Sequence, residues 1–173
     1  MNTDKVNKWL VLGANVGVLV GLILVAFELH QSTVTTRAEM ISDFQDRWVA
    51  MDMSWQEAEF AAAWAKAIEN PEELTTAEMI QLSGQLWAFI DHLNSIRRMW
   101  ELGVFEEPLP TLETVIAGNV DVFFGNAFAQ AWWAEYERES TGPLTALMAP
   151  EIAKISVTHD RDFYQEIRSR IRD

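Results

Sequence analysis

The sequence predicts an all-α protein: one N-terminal transmembrane helix continuing as a long stalk helix into an irregular soluble helical bundle. Three observations predict it. An apolar run of about 18 residues, Leu10 to Phe27, lies near the N-terminus and matches the thickness of a bilayer core. Beyond it, apolar residues recur three and four apart in segment after segment, the period of one helical face. Finally, no stretch combines strand alternation with hairpin turn chemistry.

The chain has 173 residues, room for residues 1–30 as flank and membrane helix and 31–173 as one soluble domain. It contains no cysteine, which excludes disulfides, thiolate metal sites and cysteine nucleophiles. Its net charge of −13 is spread along the chain. A body so negative is repelled by phosphate backbones, which argues against nucleic acid as a partner.

In the segment WLVLGANVGVLVGLILVAFEL, Asn15 is the one strongly polar side chain between Leu10 and Phe27. A helix covers roughly 27–30 Å over such a run, and no other structure satisfies the backbone in hydrocarbon. Trp9 stands where an interfacial anchor belongs, and Glu28 and His30 mark the opposite border. The run is long for a signal-peptide core and no small-x-small site follows it, so an uncleaved anchor is expected. Lys5 and Lys8 precede the span, whereas the first fixed cation beyond it is Arg37. The positive-inside rule then favours a cytoplasmic N-terminus and an exported domain. Gly13, Gly17 and Gly21 repeat every four residues as a tandem GxxxG. Such a stripe lets a second backbone approach closely in lipid, and Asn15 is grouped with it as a residue seeking an interhelical hydrogen bond.

No proline or glycine interrupts the chain between the anchor and Met53, so one helix is expected from about Val6 to Met53. Residues 31–53 form the stalk, with Val34, Ile41, Phe44 and Trp48 as its packing seam. Ser54-Trp55-Gln56-Glu57 reads as a capping box opening the bundle, 54–173, with a second helix to about Asn70 and Phe60, Trp64 and Ile68 inside. After Pro71, Thr75-Thr76-Ala77-Glu78 is a second capping box. It starts the strongest helix, striped by Met79, Leu82, Leu86, Phe89, Leu93, Ile96 and Trp100 and closed by Gly103. A stiff acidic loop, Glu106 to Pro110, follows. Thr111 caps one helix carrying Leu112, Val115, Ile116, Val122 and Phe123, which Gly125-Asn126 breaks or bends. A segment with Phe128, Trp132, Trp133 and Tyr136 ends near Gly142. A short turn then precedes Pro150, which is placed to begin a further helical piece. The last helix is striped by Phe163, Ile167 and Ile171, with Arg161, Arg168, Arg170 and Arg172 on its exposed side complementing its C-terminal dipole.

Little of this is the chemistry of catalysis. The three histidines stand alone, no Glu-x-x-His or His-Glu-x-x-His occurs, and neither a phosphate loop nor a nucleophile elbow is present. Nothing calls for a metal or a cofactor. One polar group stands out on the central helix: Asp91, His92, Arg97 and Arg98, near Trp87. It reads either as an ordinary salt-bridging face or as a small pocket for an anionic ligand. A catalytic use would require His92 in a closed pocket beside a carboxylate. Trp132 and Trp133 are adjacent, so both cannot enter the core from one helix face, and one of them is a candidate contact residue.

The layout resembles a large group of bacterial single-pass membrane proteins that have no assigned activity. The matching pieces are LILVAFELHQST at 22–33, Glu73 to Glu78, Glu101-Leu102-Gly103, Ala131-Trp132-Trp133 and Phe163-Tyr164-x-x-Ile167. The resemblance implies the architecture and a bacterial inner membrane, where the exported domain would be periplasmic, and it implies no activity. The function expected is a membrane-anchored, non-catalytic helical interaction module. Its partners are the lipid bilayer and, through the membrane helix, itself or another membrane subunit. The alternative is a membrane-anchored domain that binds or senses a small ligand.

Overall fold

The computed structural model describes residues 3–105 and 111–172, with side chains from residue 7 onward. The acidic loop expected at Glu106–Pro110 lies outside the described residues. Every regular element described is helical. The chain divides into two compact units, Met1–Gln45 and Asp46–Asp173.

The first helix, α1, runs Thr3–Ser54 without a break. This continuity follows from the sequence, since its only glycines lie in the apolar segment and it contains no proline. It is long and apolar enough to cross a membrane, and none of its most apolar stretch is buried within the chain.

The second unit is a bundle built from the last turns of α1 and seven further α-helices: α2 (Ala58–Glu69), α3 (Thr76–Glu101), α4 (Leu112–Ala117), α5 (Val120–Phe124), α6 (Ala127–Glu139), α7 (Pro143–Ile152) and α8 (His159–Arg172). A single 3-10 turn, Pro71–Glu73, links α2 to α3. The core is the apolar side of α3: Leu82, Leu86, Phe89, Ile90, Leu93, Ile96 and Met99 are all buried. Met79, expected at the head of that stripe, is 39% exposed, and Trp100 at its foot is only half-buried. Phe60, Trp64 and Ile68 of α2 are buried, as are Ile116, Val120, Phe123 and Phe124 of α4 and α5. Phe89 and Phe123 lie face to face with centroids 3.8 Å apart. Phe124 meets Trp133 edge-on at 5.6 Å, carrying the aromatic core into α6.

The helix ends obey local chemistry in most places. Thr75 and Glu78 form a reciprocal capping box at the start of α3. The Glu78 carboxylate also accepts from Lys66 of α2 at 2.6 Å, tying the two helices together. Its pKa is lowered from 4.5 to about 2, chiefly by that lysine and then by Thr75. At the other end of α3, Gly103 takes a positive φ of 63°, its N–H donates to Trp100 O, and the Val104 N–H donates to Met99 O. These two bonds are the paired closure of a Schellman motif, with Met99 and Val104 both buried. Thr111 and Asn126 cap α4 and α6, each side chain accepting from the backbone N–H three residues on.

Four expectations are corrected. Ser54 is not an N-cap: α1 extends to it, and α2 starts at Ala58 behind Glu57 with no side-chain cap. The Ser54 hydroxyl lies 2.6 Å from Met51 O and 3.1 Å from Gln85 Oε1 of α3, so tertiary contact has claimed the group that a cap would need. The helix expected from Thr111 through Phe123 is two short ones. Gly118 and Asn119 divide them, and Asn119 Nδ2 donates to Val115 O at 2.7 Å, satisfying a terminal carbonyl of α4. Val122, expected inside, is 54% exposed as a result. Pro150 does not begin a helix; it sits within the last turn of α7, which begins at Pro143 behind Gly142. The apolar stripe of α8 does not enter the core: Phe163, Ile167 and Ile171 are 53%, 38% and 78% exposed.

Three groups of polar contacts join α8 to the bundle, one of them the ion pair of Arg168 with Glu69 at 3.2 Å. Asp160, at its start, is buried. Its backbone N–H donates to Gly125 O at 3.0 Å, and its carboxylate accepts from Asn126 Nδ2 at 3.1 Å. Arg161 donates to the carbonyls of Ile68 and Glu69 at 2.9 and 3.1 Å. It thus serves the C-terminus of α2 rather than that of its own helix, where the macrodipole also favours a cation.

Two outcomes follow. Phe89→Ala should destabilise the protein by about 3–5 kcal/mol, because its cavity opens in the middle of the core; chemical denaturation measures this. A Cβ at Gly125 would lie 2.0 Å from Asp160 Oδ1. Gly125→Ala should therefore cost about 1–3 kcal/mol by overpacking, with increased hydrogen exchange concentrated in α8.

Candidate functional site

The residues singled out from the sequence fall on four surfaces. The first is the apolar part of α1. Gly13, Gly17 and Gly21 are exposed, and a Cβ at any of them would meet nothing within 4 Å. Successive residues of a helix are separated by about 100°, which places Asn15 about 160° around the axis from Gly17. The polar side chain and the glycine stripe therefore face different sides of the helix. One two-helix contact cannot use both.

The second is the stalk seam. Val34 is 52% exposed, and Ile41, Phe44 and Trp48 are half-buried. Trp48 lies against His92 of α3, with ring centroids 4.4 Å apart.

The third is the polar group on α3, which the helix distributes over different sides. His92 is buried, whereas Trp87, Asp91 and Arg98 are exposed. Ser95 Oγ donates to the Asp91 carbonyl at 2.9 Å, and Arg97 ion-pairs with Glu101 one turn on. Asp91 and Arg98 therefore share an outer face while His92 looks to the core. Trp87, exposed on this helix, has its ring contacts with Trp132 and Tyr136 of α6. Burial, and then the positive charge of Arg47, lower the pKa of His92 from 6.5 to about 4. It is a neutral ring at physiological pH. Its setting beside Trp48 is that of a packed core group.

The fourth is the Trp132-Trp133 pair. Trp133 is buried, and Trp132 is half-exposed. Trp132 stacks on Tyr136 one turn along α6, with centroids 5.5 Å apart and planes within 8°. Trp87 of α3 closes on both, edge to face, at 5.4 Å from Trp132 and 5.3 Å from Tyr136. Sequence reasoning had Trp87 beside the wrong neighbours. The four-residue spacing of Trp132 and Tyr136 was the available signal for one half of this cluster.

A further polar joint escaped the sequence altogether: Gly125, Asn126, Gln130 and Asp160. Gln130 Nε2 donates to Phe124 O and Ile155 O, both at 3.0 Å. Burial raises the Asp160 pKa, opposed by the Asn126 hydrogen bond. Among the described residues, no group of three or more histidines and carboxylates is placed to hold a metal ion.

No known protein family, curated protein or solved structure matches the chain. Of the layout that the resemblance implied, the long apolar N-terminal helix followed by a helical domain is present.

The unfolded chain takes up a proton at a histidine near pH 6.5, whereas folded His92 resists it until about pH 4. Between those values the unfolded state holds more protons, so stability falls as the pH falls. His92 should contribute a loss on the order of 2–3 kcal/mol across this window. His92→Gln should abolish that component, seen as a smaller difference between denaturation midpoints at pH 7 and pH 4.5 than in the wild type.

Proposed function

We propose that this protein is a membrane-anchored helical interaction module without catalytic activity, assembled through α1 with copies of itself or with another membrane subunit. The observation that carries this reading is the bare glycine face. Gly13, Gly17 and Gly21 lie about one turn apart on α1, and among the described residues nothing comes within 4 Å of a Cβ placed on them. In lipid there is no hydrophobic drive to associate, so close backbone approach across such small residues, with its dispersion contacts, is what joins helices.

Asn15 refines the reading. On the side away from the glycines, its amide would meet hydrocarbon or the polar group of another helix. An interhelical hydrogen bond there is worth about 0.5–2 kcal/mol. Two association features on opposite sides suit a helix with more than one neighbour, as in a subunit of a larger complex or a higher oligomer, better than a simple dimer. Lys5 and Lys8 before the span support a cytoplasmic N-terminus and a periplasmic soluble domain at a bacterial inner membrane.

The test is the native mass of the full-length protein in mild detergent, by light scattering, beside Gly17→Leu and the triple Gly13/Gly17/Gly21→Leu variant. The wild type should travel as an oligomer or with defined subunits, and the triple variant as a monomer with unchanged helix content. Asn15→Leu should weaken the assembly by a separate and smaller step. Wild type and triple variant running as monomers of equal mass would sink the proposal.

A further inference from the structure

Where α3 and α6 meet the solvent, Trp87, Trp132 and Tyr136 form a cluster of three rings that the core does not absorb. Trp87 is 50% exposed, a costly surface for so large an apolar side chain. Beside the rings lies a hollow of about 410 Å³, lined by Trp87, Trp132, Glu135, Tyr136, Glu139 and Ser140. Its volume falls within the roughly 300–1,000 Å³ range of small-molecule sites. Trp132, Glu135, Tyr136 and Glu139 follow one another at helical spacing, so a single face of α6 supplies two rings and two carboxylates, and α3 adds the third ring.

We infer that this hollow binds a small organic cation carrying an alkylated ammonium group. Aromatic faces are electronegative and attract a cation held over them. The two carboxylates add charge of the same preference. No lysine or arginine lines the hollow, so the lining offers an anion no fixed positive charge. Glu135 pairs with Arg138 in a fully solvated setting, both side chains about two-thirds exposed. A pair so exposed is worth little and yields easily to a competing cation. The chain's net charge of −13 enriches cations around the whole body.

Alkylation is what selects among cations. A metal ion or free ammonium would have to give up strong hydration to sit against indole and phenol rings. An alkylated ammonium spreads its charge over a methyl surface, and burying that surface on the rings is itself favourable. A sugar can also lie on aromatic rings, but it gains nothing from the two negative charges, so the cation is the better fit. The inference does not depend on how α1 associates.

The experiment is calorimetric titration of the full-length protein in a polyoxyethylene detergent, which carries neither an ammonium nor a sugar headgroup. The probes are tetramethylammonium, choline, the neutral isostere of choline with carbon in place of nitrogen, and glucose. Both cations should bind saturably, and the isostere about tenfold more weakly or not at all. Trp132→Ala should weaken choline about tenfold. Glu139→Gln, which keeps the shape of the site, should weaken it severalfold with the thermal unfolding curve unchanged. Phosphatidylcholine dissolved in micelles of the same detergent presents the same ammonium beside a phosphate, and should bind no better than micelles carrying a lipid without a choline headgroup. The inference fails if neither cation gives a saturable heat, or if the isostere matches choline. It fails equally if glucose or the phosphatidylcholine micelles bind where free cations do not, or if Trp132→Ala and Glu139→Gln bind choline like the wild type.

Discussion

The bundle depends on the buried side of α3, and most of all on Phe89, fully enclosed and stacked on Phe123. The helices around it are short: α4 spans six residues, α5 five and α7 ten. Isolated helices of that length do not hold in water, because nucleation costs more than so few hydrogen bonds return. They persist here because each buries a face. Ile116, Phe123, Phe124 and Met148 are all almost or wholly inaccessible, and burial of a side chain of this size is worth about 1.5–3 kcal/mol. The 26-residue α3 is the one long surface in the unit against which such pieces can form.

Hydrophobic burial gathers these helices; polar joints decide their register. The Thr75–Glu78 box with Lys66, the Ser54–Gln85 contact and the Gly125–Asn126–Asp160 joint each connect segments distant in sequence. The last is the most demanding. A carboxylate is enclosed where burial raises its pKa, with an asparagine amide as its counterweight and a glycine as the only residue that leaves it room. That joint, with Arg161 on the end of α2, explains why α8 stays attached although its apolar stripe faces outward. α8 is held by polar contacts at its N-terminal end and by Arg168 on Glu69 rather than by its hydrophobic face.

The two candidate surfaces differ in kind. Among the described residues nothing lies within 4 Å of a Cβ placed on the glycine face of α1, and on the proposed reading another chain covers it. The aromatic hollow between α3 and α6 lies in the helical bundle. There, rings are assembled from two helices although water is available to them, and on our inference charge rather than dispersion sets what they prefer. The two proposals therefore rest on different residues.

Much of the outline could be read from the residues alone. The continuous α1, the capping box at Thr75, the Gly103 end of α3 and the α3 stripe all rest on interactions within a few positions of one another, and local chemistry determines those. The glycine stripe was legible for the same reason, as was the need for one of Trp132 and Trp133 to turn outward. What failed were inferences that a competing long-range contact could overrule. Ser54 gave up its cap to Gln85, the stripe of α8 was left outside the core, and Trp87 turned from His92 to Trp132 and Tyr136. Asp160 carried no signal at all, since its partners lie 34 and 35 positions earlier in the chain. Sequence by itself determined where the helices run and which faces are apolar, because both depend on the 3.6-residue period. Only the tertiary structure decided which of those faces are covered and which side chains meet. That depends on closing contacts between distant segments, and no local pattern encodes it.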